Sequence, residues 1–127
     1  MSEFTFTSAQ LERFTPASII WLATVRANHS PHLTPIWFVV NEHRVYLCTT
    51  GNAVKARNIA QNPRVSLALE DGTNPFVIEG NARKMDADEV PDAVVEAFIK
   101  KYDWDIRASD SYDAVLEIIP EKILLGK

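Results

Sequence analysis

Cysteine is nearly absent. Cys48 is the single one in 127 residues, so no internal disulfide can form and a reducing compartment is the natural setting. Long apolar runs are missing too: no stretch approaches the ~20 residues a membrane-spanning helix needs. The opening MSEFTFTSAQ has neither the basic start nor the apolar stretch of a signal peptide. The expectation is a soluble, cytoplasmic protein. Glycine is scarce, at four residues, and neither GxGxxG nor GxxxxGKS/T occurs, which removes the usual dinucleotide-binding and P-loop readings. A basic excess is lacking as well. Lys and Arg number 13 against 17 Asp and Glu, a net charge of −4, which argues against general affinity for nucleic acid or anionic membranes.

What is present fits one domain, residues 1–127. A chain of this size buries roughly two-thirds of its unfolded surface, enough for one core without staples. Ser8 followed by AQLERF reads as a capped short helix with Leu11 and Phe14 on one face. SIIWLATVR, His32 to Val40 and VYLCT read as three strands of an antiparallel meander, joined by the ANHSP turn and the tight NEHR connection. Pro35 inside the second run cannot donate to a ladder, so that strand is expected to be bulged or at an edge. Ala53 to Gln61 reads as a helix ended by Asn62-Pro63. RVSLALE and FVIEGNARKM follow as strands, with Gly80 marking a bulge or a close backbone approach. Asp88 to Tyr102 forms an acidic helix with Pro91 in its first turn. YDAVLEII and EKILLG read as two last strands joined through Pro120. About seven strands and three helices, with strands following one another directly, favour an antiparallel barrel over a βαβ sheet.

Chemistry is suggested by an absence inside the chain. From His43 to Leu69 there is no Asp or Glu, while Arg44, Lys55, Arg57 and Arg64 all lie there. Lys55 and Arg57 fall in the first turns of a helix, where cations oppose the dipole by roughly a few tenths of a kcal/mol. An anion at that helix start would reverse the sign, with backbone N–H groups, Lys55 and the hydroxyls of Thr49 and Thr50 available. Solvated surface cations would give the same pattern. His29 and His32 straddle a turn and bring no metal-ligand spacing. Cys48, with no nearby His or CxxC partner, reads as a buried strand thiol. Trp21, Trp37 and Trp104 read as core by default; Trp37 follows Pro35 on an irregular strand and is the better candidate for a ligand wall.

Three runs carry a resemblance: WLATVRANHSPHLTPIWFVV, VYLCTTGNAVKARNIAQNPRVSLALE and FVIEGNARKM. They resemble the FMN-binding split-barrel family related to pyridoxamine 5'-phosphate oxidase, most sharply in NPRVSL after a K-x-R-N-I helix start. The resemblance covers roughly residues 8 to 126. KKYDWDI before the final strands is similar to the compact branch that includes deazaflavin-dependent members. The implied fold is mainly β, a split barrel of six to seven antiparallel strands.

The resemblance also implies a site. The segment His32, Leu33, Thr34, Pro35, Ile36 and Trp37 would run along the isoalloxazine ring, partly through its backbone. Cys48, Thr49, Thr50 and Lys55 would hold the phosphate, with Arg57 a second phosphate ligand. The family's homodimers place two cofactors at the subunit interface, so Trp104 or Arg107 would reach the partner's cofactor. The implied function is an FMN-binding oxidoreductase. The alternatives are a deazaflavin-dependent reductase, a flavin-binding sensor without turnover, or an interaction domain that holds no ligand. Val54 and Thr34 stand where pyridoxamine phosphate oxidases proper carry arginines, and the sequence ends soon after the last strand. The vitamin B6 reaction itself is therefore not expected. No catalytic acid or base is assigned.

Overall fold

The computed structural model describes residues 4–108 and 112–126. Helix α1 spans Ser8–Phe14, and its cap is Thr7 instead of Ser8. Only Thr7 has a glutamine three residues on. Its hydroxyl accepts from the Gln10 N–H at 3.2 Å, while the Gln10 side chain accepts from the Thr7 N–H at 2.8 Å, the reciprocal box that a cap at Ser8 could not close.

Strands β1 (Ile20–Val25), β2 (Pro31–Ile36), β3 (Phe38–Asn41), β4 (Arg44–Thr49), β5 (Arg64–Ala68), β6 (Val77–Asp86) and β7 (Ala114–Leu125) form one antiparallel sheet. Its order is β2-β1-β5-β6-β7-β4-β3. The expected meander is thereby corrected. β1 pairs with β2 and β3 with β4, but β2 and β3 lie at opposite ends of the order. A single residue, Trp37, joins them. A sheet whose two edges are one residue apart in the chain must curl until they meet, and that curl is the split barrel. The run His32 to Val40 therefore holds two strands. Pro31 and Pro35 are tolerated because β2 is an edge.

At the β3–β4 turn, Glu42 and His43 both take positive φ, 49° and 63°. This backbone has the twist that suits a two-residue hairpin, although neither residue is the usual Asn or Gly. The two last strands expected around Pro120 are one, β7. Gly80 faces Pro120 across the ladder at a register shift. A side chain on Gly80 would begin 2.4 Å from the Ile119 carbonyl oxygen, so glycine lets the strands close on the proline instead of parting.

Helix α2 is Val54–Gln61 and helix α3 is Asp92–Tyr102. α3 starts later than Asp88, with Pro91 at its cap. Val90, the residue before the proline, is extended, and Ala87–Glu89 form a separate 3-10 turn. The steric conflict that a proline imposes on its predecessor separates the two.

The barrel interior packs Ile20, Leu22, Phe38, Leu47, Leu67, Phe76, Ile78, Leu116 and Ile118, joined by Phe14 of α1 and by Ala56 and Ile59 of α2. Each of the buried Ile, Leu and Phe side chains contributes about 1.5–3 kcal/mol relative to exposure. α3 lays Val94, Val95 and Phe98 on the outward residues Val39, Tyr46, Cys48 and Val115. Beside that second core, Glu117 is 3% exposed. Tyr46 Oη and Arg83 Nε donate to its two oxygens at 2.9 and 2.8 Å, and Arg44 lies at 3.3 Å. Burial alone would raise the Glu117 carboxyl, but those hydrogen bonds and the two guanidinium charges hold it below its ordinary value. Across the other half of the sheet, the ladder sets an outward row of Pro35, Trp21, Ala68, Val77 and Leu125.

Candidate functional site

Where the β2–β3 joint, the end of β4 and the start of α2 converge, a cleft of about 440 Å³ opens, within the range of small-molecule sites. β2 and the joint supply Pro35, Ile36 and Trp37; β4 supplies Cys48 and Thr49; the first turn of α2 supplies Lys55. Trp104, just past α3, and Tyr112, just before β7, complete the wall.

One end of the cleft is polar. α2 begins at Val54 with Ala53 at its cap, and no side chain among the described residues caps it, so its first-turn N–H groups lack the side-chain acceptor most helices give them. Lys55 is half-buried, and burial holds its ammonium below the usual lysine range. Among the described residues it makes no ion pair. Thr49 is 2% exposed beside it. The Gly51 N–H, by contrast, is already used, donating to Asp113 Oδ1 at 2.8 Å.

The other end is aromatic. Trp37 is 43% exposed and stacks on Tyr102, with ring centroids 4.5 Å apart and planes 4° from parallel. Trp104 meets Trp37 at 6.3 Å and 82°, and Tyr112 meets Trp104 at 5.7 Å and 89°. The Tyr102 hydroxyl accepts from the Phe38 N–H at 3.0 Å and reaches the carbonyls of Phe38 and Ser18 at 3.0 and 2.9 Å. Burial raises that phenol, against the opposing hydrogen bond with Phe38. The Cys48 thiol is pushed up to about 11 by burial, so it stays protonated and lines the cleft as a small apolar group.

The structure brings together Pro35, Ile36, Trp37, Cys48, Thr49, Lys55 and Trp104 of the residues the sequence suggested. His32, Leu33, Thr34, Thr50 and Arg57 do not line the cleft. Leu33 points outward, 64% exposed. His32 and Thr34 point inward and are half-buried. The His32 Nδ1 is buried with no partner among the described residues. Burial, with the charges of Arg26 and Lys55, holds the imidazole below its ordinary value. Thr50 turns its carbonyl to the Ala53 N–H at 3.2 Å. Arg57 is exposed, because residues two apart on a helix lie about 200° apart around its axis and Lys55 takes the cleft side. Arg107 pairs with Asp92 at 2.8 Å and donates to the Val90 carbonyl at 2.7 Å, which ties it to the start of α3. Sequence reasoning missed Tyr102, read as the end of the acidic helix, and Tyr112, assigned to a strand. No local pattern says that Tyr102 meets Trp37 or that Tyr112 meets Trp104.

Among the described residues no three His, Cys, Asp or Glu side chains converge as a metal would need, and no helix is long and apolar enough to cross a membrane.

The model of the family described as pyridoxamine 5'-phosphate oxidase matches residues 6–125. The chain matches no curated protein. Among solved structures, a conserved hypothetical protein of Mycobacterium tuberculosis is similar with a TM-score of 0.76 and 23% identity, over 97% of this chain and 86% of that one. HutZ, the heme storage protein of Vibrio cholerae, gives 0.77 and 23%, over 93% of each chain. A structure named an F420 reductase gives 0.69 and 21%, over 88% of this chain and 94% of that one. At such identities these three establish a shared fold.

Proposed function

The chain belongs to the pyridoxamine 5'-phosphate oxidase family, and from that premise we propose that it is an oxidoreductase that holds FMN in the cleft between β2, β4 and α2. The carrying observation is Lys55, a half-buried ammonium with no acid partner among the described residues, set in the first turn of a helix that no side chain caps. A phosphate matches that donor set, through Lys55 Nζ, the Thr49 hydroxyl and the first-turn amides. The aromatic wall of Trp37, Trp104 and Tyr112 matches a flat ring at the other end. Bound FMN would supply the hydride or electron transfer. The chain's own residues would grip the phosphate, orient the ring and keep water from it. Oxidation of a B6 vitamer is not part of this proposal, since Val54 and Thr34 stand where those enzymes carry arginines.

A deazaflavin coenzyme offers the same pairing of phosphate and flat ring, and one similar structure is named an F420 reductase. Titrating the purified protein with FMN and with a deazaflavin side by side, by visible absorbance and fluorescence, separates the two. FMN should bind preferentially and then be reduced by a nicotinamide nucleotide faster than free FMN. Preference for the deazaflavin would move the assignment to that coenzyme. Binding without turnover would make the protein a sensor, and binding of neither would remove the cofactor reading.

A homodimer is part of the proposal. Pro35 both lines the cleft and begins the outward apolar row through Trp21, Ala68 and Val77, so a second copy seated on that row would wall the cleft. Ala68→Arg should give a monomer by light scattering, with weakened FMN binding. A monomeric parent that binds FMN tightly would refute this.

A further inference from the structure

The cleft's aromatic end is set by a residue that does not line it. Trp37 belongs to neither β2 nor β3, so no ladder hydrogen bond fixes its backbone orientation. What holds it comes from α3. The Tyr102 hydroxyl accepts the Phe38 N–H at 3.0 Å and donates to the carbonyl of Ser18 or Phe38, which pins the chain one residue past the joint. The Tyr102 ring then lies flat against the indole, 4.5 Å away and 4° from parallel. The neighbouring Lys101 ammonium stands 3.7 Å over the Phe38 ring and donates to the Phe14 carbonyl, tying the same end of α3 to β3 and α1. The indole therefore has one face fixed by protein and one orientation, while the residue stays 43% exposed and lines the cleft.

We propose that Tyr102 is the positioning residue of the ring end of the cleft: by fixing the plane of Trp37 it determines that the cleft takes a flat aromatic ligand, independently of the phosphate grip at α2. The proposal rests on the cofactor reading above and adds a division of labour to it. Lys55 recognises the anion; Tyr102, through Trp37, recognises the plane. Stacked aromatic pairs are worth about 0.5–1.5 kcal/mol beyond area, a two- to tenfold change in affinity.

The test uses Tyr102→Leu, which removes ring and hydroxyl, and Tyr102→Phe, which keeps the ring. Near-UV circular dichroism of the unliganded protein reads the Trp37–Tyr102 stack directly. Tyr102→Leu should lose that signal and Tyr102→Phe should keep it. Riboflavin, which has the ring and no phosphate, should bind Tyr102→Leu about fivefold or more weakly than the parent and Tyr102→Phe within twofold. Protection of the fold by inorganic phosphate should be equal in all three. An unchanged near-UV spectrum in Tyr102→Leu overturns the proposal, and so do unchanged riboflavin affinity or an equal loss for riboflavin and phosphate. If the parent binds neither riboflavin nor FMN, the cofactor reading fails and the claim about ligand planes falls with it. The spectrum still decides whether Tyr102 sets Trp37.

Discussion

Replacing Lys55 by methionine should weaken FMN binding while leaving the unliganded protein as stable as before, or slightly more so. The side chain keeps its length and loses its charge. A charge-assisted contact of an ammonium with a phosphate contributes about 1.5–3 kcal/mol, so the dissociation constant should rise about 10- to 150-fold. Riboflavin, without the phosphate, should bind the variant as it binds the parent. In the unliganded protein the balance reverses. Lys55 gives up water without gaining an acid partner among the described residues, and burial holds its ammonium below the ordinary lysine value. Removing it relieves a cost that the exposed part of the side chain screens to ~0.5 kcal/mol. With ~2.1 cal/mol/K of unfolding entropy per residue, 1 kcal/mol is about 4 °C for a chain of 127 residues, so the gain is about 2 °C. The sign with pH follows. A folded-state value below the unfolded one means the penalty acts while the amine is charged, and it fades as pH rises to the ordinary lysine value, where both states are neutral. The variant's advantage should shrink over that range. Fluorescence titration and thermal melts across pH test both halves. An unchanged FMN affinity, or a melting temperature lowered by several degrees, would refute the reasoning.

Other substitutions probe the frame around the cleft. Glu117→Gln should cost about 1–3 kcal/mol, a fall of roughly 4–12 °C in melting temperature, because three donors lose a buried carboxylate. Since the folded-state value of Glu117 lies below its unfolded one, its contribution is complete above the ordinary glutamate range and is lost as pH falls through the lower folded value; melts of parent and variant should converge in acid. Gly80→Ala places a methyl against two backbone groups of β7, 2.4 and 2.9 Å away, and should cost about 3 kcal/mol, read as a drop of about 12 °C. Glu42→Asn, at a positive φ of 49°, should stabilise the hairpin by about 0.5–1 kcal/mol, seen in denaturant melts.

Much of this arrangement is legible in the chain, and the parts that are not have physical causes. The strand count comes out at seven although two segments are misread in opposite directions. Inward alternation runs through Thr34, Ile36, Phe38 and Val40 without a break, so periodicity gives no sign that the pairing partner changes at Trp37. Pro120 looks like a strand end until Gly80, distant in sequence, is seen to make room for it. The polar end of the cleft is readable because its signal is local: a stretch without acids and a lysine in the first turn of a helix. The aromatic end is not, because Tyr102 reaches Trp37, and Tyr112 reaches Trp104, only through the fold. Arg57 shows the limit of counting charges along a helix without asking which side each one takes.

The joint at Trp37 has a consequence for how the barrel breathes. Among the described strands no ladder connects β2 to β3 or β4, so the seam is closed by one peptide link and by side chains. A sheet closed in this way can open along the seam without breaking any strand pairing. Amide hydrogen exchange should therefore be fastest on the free edges of β2 and β3, slowest in β6 and β7, and slowed together on both free edges by a ligand lodged against Trp37.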